Sequence, residues 1–133
     1  MENVGKELLE CSKTIAVVGL SANPDRTSYR VSHYMQEHGY KIIPVNPTIT
    51  EALGEKAYAS LKDIPEKVDI VNVFRRSEDV LPVADEAIAI KAKGLWMQEG
   101  IVNETAAKKA KSAGLKVVMD RCIMVAHARL MGD

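Results

Sequence analysis

The stretch TIAVVGLSANPDRTSY, residues 14–29, holds the residue types that an anion site needs. An apolar run rich in valine ends at Gly19, as a buried parallel strand would. Ser21, Asn23, Pro24 and Asp25 make a tight polar loop, and Arg26 adds a cation. Thr27 and Ser28 can cap the helix that follows. A helix start leaves backbone N–H groups unpaired, and the positive end of its dipole points the same way. Strand, glycine turn and helix start therefore predict a phosphate cradle.

The cradle is not the dinucleotide fingerprint. G-x-G-x-x-G would place glycines at 21 and 24, where the chain has Ser21 and Pro24. A nicotinamide site also carries an acid about 20 residues further on, at the end of the second strand, for the ribose hydroxyls. Here that strand, 41–45, runs into Asn46 and Pro47. Other chemistries lack their residues too. There is no G-x-x-x-x-G-K-[ST] loop, no G-x-S-x-G elbow, no acid pair set for hydrolysis and no metal-ligand spacing. The prediction is a binding cleft with no catalytic residue and no metal.

The elements that must position these residues follow from periodicity. A leading helix covers 3–11, within a leading segment 1–13. Strands are predicted at 14–19, 41–45, 69–74, 95–98 and 116–119. Helices fill the gaps at 27–38, from 77–79 to Gly94, from Asn103 to Gly114, and from Cys122 to Met131. Gly39, Gly94 and Gly114 read as helix terminators. Pro44 inside the second strand argues for an edge or a bulge. Residues 46–67 read as irregular, with one helical turn near 60–63. Strict alternation means parallel strands with right-handed crossovers. The expected fold is α/β: a Rossmann-like, doubly wound parallel sheet of about five strands in a single domain spanning 1–133.

Composition closes off further classes. A chain of 133 residues with a formal net charge of +0 gives no sign of bulk nucleic-acid or membrane-surface binding. No run reaches the ~18 apolar residues of a membrane span. The acidic start, MENVGKELLE, has no signal-peptide core. Cys11 and Cys122 read as reduced cytoplasmic thiols, and His33, His38 and His127 are scattered.

Ligands of such sheets bind beyond the C-terminal strand ends. The chain places Ser21, Asn23 and Arg26 after the first strand, and Asn46 and Pro47 after the second. Phe74, Arg75 and Arg76 follow the third strand. Gln98 and Glu99 follow the fourth, and Arg121 and Cys122 the fifth. An arginine rim suits phosphate; the competing reading pairs Arg75 and Arg76 with Glu78, Asp79 and Asp85 at the surface. Cys122, beside Arg121 and a helix start, is a candidate redox thiol, with a small buried hydrophobe as the alternative.

Several of these segments carry a resemblance in order: GLSANPDRTSYRV, IIPVNP, the spaced Gly54, Tyr58, Ser60-Leu61 and Ile64-Pro65, then VNVFRRSE, LWMQEGI and VVMDRC. Together they resemble the stand-alone CoA-binding proteins. These are similar to the CoA-binding domain of the succinyl-CoA synthetase α subunit and of ADP-forming acyl-CoA synthetases. The resemblance runs from about Thr14 to Arg129 and implies coenzyme A as ligand. It implies Gly19, Ser21 and Arg26 lining the phosphate loop, where the residues themselves also put the candidate cofactor-binding Asn23 and Ser28. It puts Val45, Asn46 and Pro47 at the adenosine end, Phe74 and Arg75 over the nucleotide from the third strand, and Gln98 near the end of the fourth. The synthetases add a phosphohistidine domain and an ATP-grasp partner, neither of which these residues contain. A carrier, sensor or adaptor of CoA or acyl-CoA is therefore expected, with no nucleic acid and no membrane as partner. The alternatives are an NAD(P)-binding redox protein and an interaction domain with a vestigial site.

Overall fold

The computed structural model describes residues 2–131, and strand and helix alternate through them as the sequence predicts. Met1, Gly132 and Asp133 lie outside the described residues. The helices are α1 (Glu2–Cys11), α2 (Thr27–Glu37), α3 (Val80–Ala89), α4 (Glu104–Ser112) and α5 (Ile123–Leu130). The main sheet contains β1 (Thr14–Val18), β2 (Lys41–Val45), β5 (Ile70–Val73), β6 (Gly94–Met97) and β7 (Lys116–Val118). It is parallel throughout, in the order β2-β1-β5-β6-β7.

Alternate strand residues feed two cores, as a sheet covered on both faces requires. Ala16, Val18, Val71, Val73, Leu95 and Met97 pack under α3 and α4, which offer Ala84, Ala87, Ala106 and Ala110. These small faces let both helices sit close to the sheet and to each other. Ile15, Val17, Ile70 and Trp96 point to the other side and meet Leu8, Val31, Met35 and Ile123 from α1, α2 and α5.

Gly39 and Gly114 end α2 and α4 as predicted, at φ +97 and +96. Gly94 does not end α3. It opens β6, where an added Cβ would lie 2.6 Å from both methyl carbons of Leu8. The terminator of α3 is Lys91, at φ 60, with its N–H on the Ile88 carbonyl and that of Ala92 on the Ala87 carbonyl. This is the closure glycine usually makes, here made by a lysine. Pro44 lies in the edge strand. Its carbonyl points outward and accepts from Tyr58 N–H at 3.0 Å. Its nitrogen lies on that same outer side, so no bond to β1 is lost.

Residues 46–67 are more ordered than their composition suggests. Ser60 Oγ accepts from Lys62 N–H and caps a 3-10 turn at Leu61–Asp63. Ahead of it lies a hairpin that periodicity does not show: β3 (Glu51–Ala52) pairs antiparallel with β4 (Glu55–Lys56). Leu53 at φ 56 and Gly54 at φ 76 form its two-residue turn, the type I′ geometry that favours Asn-Gly. Gln36 Nε2 of α2 donates to the Leu53 carbonyl at 3.0 Å.

At the opposite end of the sheet from the predicted cradle, Asp69 ties three strands together. Its carboxylate accepts from the N–H groups of Lys13 (2.8 Å) and Thr14 (3.1 Å), and Lys93 Nζ lies 3.5 Å away. Burial pushes its pKa up, but the two N–H donors and the ammonium outweigh burial and hold it below the ordinary carboxylate value.

Two outcomes are expected. Leu53→Asn relieves a left-handed leucine and raises stability by roughly 0.5–1 kcal/mol, read as a higher urea midpoint; a lower midpoint would mean that leucine packing outweighs the strain. Asp69→Asn lowers stability at pH 7 by about 1–2 kcal/mol. A depressed native pKa stabilises fully above the unfolded carboxylate value of about 4 and is lost as pH falls through the native value. The gap between the two proteins should therefore narrow below about pH 4 in urea melts across pH.

Candidate functional site

The chain reverses its direction of winding at β1, which has β2 on one side and β5 on the other. Such a switch point leaves a crevice at the C-terminal strand ends. Gly19 makes this crevice possible. At φ +93 it takes a backbone conformation that favours glycine, and a Cβ there would collide with the Phe74 carbonyl. The strand ends are tied across this contact: Gly19 N–H donates to the Val45 carbonyl and Phe74 N–H to the Val18 carbonyl, both at 2.8 Å.

Above Gly19 lies a cleft of about 500 Å³. It brings together Gly19, Ser21, Arg26, Ser28, Asn46 and Phe74 of the predicted set. The loop is wound by its own side chains. Ser28 Oγ accepts from Ser21 N–H at 3.0 Å, Ser21 Oγ from Asn23 N–H at 3.0 Å, and Asn23 Oδ1 from Asp25 N–H at 2.9 Å. Ser28 therefore braces the loop and does not cap α2, a correction to the sequence reading, and Thr27 does not cap it either. The N-cap residue is Arg26, and no side chain caps the helix. Thr27 and Ser28 line the cleft in the uncapped first turn of α2. Among the described residues nothing accepts from their N–H groups, which lie where the helix dipole is positive. Arg26 is exposed and makes no ion pair among the described residues. Asp25 is the one acid in the wall.

Asn46 closes the far side. Its Nδ2 donates to the Leu20 carbonyl at 3.1 Å, and its Oδ1 accepts from Thr48 N–H at 3.0 Å and from Thr48 Oγ1 at 2.8 Å. Thr48 and Ile49 complete this wall. Neither stands out in the sequence, because both fall in the stretch read as irregular.

Across the strand ends, on the other face of the sheet, is a second recess of about 180 Å³. Val18, Val45 and Pro47 form its floor, and Arg75 and Glu86 face into it. Glu86 Oε1 is held by Ser60 Oγ at 3.1 Å and Leu61 N–H at 3.3 Å. Arg75 is half-buried and makes no ion pair among the described residues. Arg76 takes Glu78 and Asp79, at 3.7 and 3.2 Å, on the surface, and Asp85 goes to Lys109. The two arginines thus divide between the two sequence readings: Arg76 lies in ion pairs outside both recesses, and Arg75 keeps its fork free.

The remaining candidates lie elsewhere. Asn23 is exposed and shapes the loop through its hydrogen bonds. Gln98 is buried, with its Oε1 accepting from Ile123 N–H at 2.9 Å, and so positions α5. Cys122 occupies the N-cap of α5 in a separate recess of about 270 Å³ with Glu99, Asp120, Arg121 and Val125. A larger groove of about 610 Å³ runs between α2 and the hairpin, but no strand of the main sheet ends in it and it has no arginine or lysine. Among the described residues no group of three or more His, Cys, Asp or Glu could hold a metal ion, and no helix is long and apolar enough to cross a membrane.

The chain is 59% identical over 123 residues to the uncharacterized protein YneT of Bacillus subtilis, covering 92% of this chain and 91% of that one. It is 30% identical over 129 residues to the α subunit of acetate–CoA ligase [ADP-forming] II of Pyrococcus furiosus. That match covers 87% of this chain but 28% of the subunit, so the chain spans little more than a quarter of that ligase subunit. Among solved structures, a hypothetical protein from Pyrococcus horikoshii OT3 superposes with a TM-score of 0.95 at 41% identity, over 99% of this chain and 93% of that one. A family model described as the CoA binding domain matches residues 13–128, nearly the whole described chain and every strand end that builds the cleft. The chain belongs to the CoA binding domain family.

Proposed function

We propose that the protein binds coenzyme A or a CoA thioester without transforming it, as a carrier, sensor or adaptor. The observation that carries this reading is the uncapped start of α2 beside Arg26, in a cleft held open by Gly19. A pyrophosphate accepts hydrogen bonds and cannot donate them when ionised, which matches open N–H groups and a guanidinium. The adenosine end would lie over the strand ends toward Val45, Pro47 and Arg75, where apolar walls flank a free fork. Arg75 in this role meets a phosphate oxygen as a planar, permanently charged donor.

A nicotinamide dinucleotide fits less well. Its ribose wants an acceptor at the end of β2, and Asn46 there has its oxygen filled by Thr48. The acid in the cleft, Asp25, belongs to the β1–α2 loop and not to the end of β2.

Calorimetry with CoA and NAD in parallel tests the reading. CoA should bind, with affinity falling as salt rises because its phosphate contacts are charge-assisted, and NAD should bind far more weakly. Equal or tighter NAD binding would sink it. Arg75→Ala should weaken CoA binding by roughly one to two decades, the worth of a charge-assisted hydrogen bond of about 1.5–3 kcal/mol, with little change in melting temperature. An unchanged dissociation constant with a lower melting point would assign Arg75 to the fold instead.

A further inference from the structure

We propose that Asn46 is the selectivity residue of the cleft: with its oxygen saturated by Thr48, it makes the site prefer a phosphorylated ribose to a free diol. The proposal rests on the coenzyme A reading.

An asparagine side chain has two N–H donors and an oxygen with two lone pairs. In Asn46 both lone pairs are taken by one neighbour, through Thr48 N–H at 3.0 Å and Thr48 Oγ1 at 2.8 Å. One N–H goes to the Leu20 carbonyl at 3.1 Å. Leu20 precedes Ser21 in the loop that carries the phosphate donors, and Thr48 precedes Ile49 in the opposite wall. A single amide therefore ties the β1–α2 loop to the segment after β2. What it keeps for a ligand is one N–H and no acceptor.

That remainder decides selectivity. Asn46 stands at the end of β2, the place where this architecture meets a nucleotide ribose. A carboxylate there accepts hydrogen bonds from both ribose hydroxyls. Asn46 can accept none, so a free hydroxyl against it loses its hydrogen-bond partner on leaving water. A phosphate ester only accepts, and the spare N–H suits it. The 3′-phosphate is the group that separates coenzyme A from dephospho-CoA.

Asn46→Asp reverses this logic at the same size. It supplies acceptors and a negative charge, and it turns the donor to Leu20 into a second acceptor facing a carbonyl. Dissociation constants for CoA and dephospho-CoA, measured by calorimetry at pH 8 on wild type and variant, give the readout. Wild type should prefer CoA by about 10-fold or more, the worth of a charge-assisted hydrogen bond. In Asn46→Asp the CoA affinity should fall about 30-fold or more and the dephospho-CoA affinity by less than about fivefold, so that the preference collapses. Thr48→Val removes one of the two donors that saturate Asn46 and leaves the backbone bond. It should shift the preference the same way by about two- to fivefold, and it decides the matter if Asn46→Asp fails to fold. Equal weakening of both ligands in Asn46→Asp, or an unchanged preference in both variants, would overturn the proposal. A wild type that binds neither ligand would overturn the coenzyme A reading on which it rests.

Discussion

Gly19 has no room for a side chain. Its α-carbon sits against the Phe74 carbonyl, where any Cβ would collide, and its φ of +93 turns the chain away from the sheet there. Both facts follow from one requirement: the loop after β1 must leave between β2 and β5 while staying bonded to each. The bonds from Gly19 to Val45 and from Phe74 to Val18 show how closely the strand ends are drawn together. The crevice at the switch point, the direction of the loop and the start of α2 all depend on that contact. A longer detour would carry Ser21 and Ser28 out of reach of each other and release the loop that presents Arg26.

The loop then reaches its shape by local means. Each of Ser21, Asn23 and Ser28 accepts a backbone N–H from a nearby residue, so the turn is wound by short polar side chains without a large buried contact. With Arg26 at the N-cap, whose guanidinium has no acceptor, α2 has no side-chain cap. In an ordinary helix that omission costs about 0.5–2 kcal/mol. Here it keeps donors open at the positive end of the dipole. On the proposed reading an anionic ligand takes the place of that cap, beside an arginine that makes no ion pair among the described residues.

Much of the fold is legible in the sequence because its signals are local. The valine-rich runs, the alanine faces of α3 and α4, and the Gly39 and Gly114 stops all act within a few residues, and they give the strand count and the alternation. Two features are not legible. Gly94 looks like a helix stop, yet its real constraint is Leu8, distant in sequence. The hairpin at 51–56 lacks the Asn-Gly signature of its turn and forces a leucine into it instead. The site divides the same way. Gly19, Ser21, Arg26 and Ser28 are readable from a strand-to-helix turn, and Asn46 and Phe74 from the strand ends. Thr48 and Ile49 come from a segment without periodicity. The separate fates of Arg75 and Arg76 depend on which carboxylates the fold brings near, and Asp85 is already taken by Lys109 from α4.

On the proposed reading, an anionic ligand completes the start of α2. Backbone amide chemical shifts of the intact protein, titrated with coenzyme A, test it most directly. The largest shifts are expected on Ser21, Thr27 and Ser28, with smaller ones at Asn46 and Arg75, and with Lys13, Thr14 and Gly94 at the far end of the sheet unmoved. Shifts centred on the groove between α2 and the hairpin, at Tyr29, His33 and Gly54, with Thr27 and Ser28 unchanged, would contradict it.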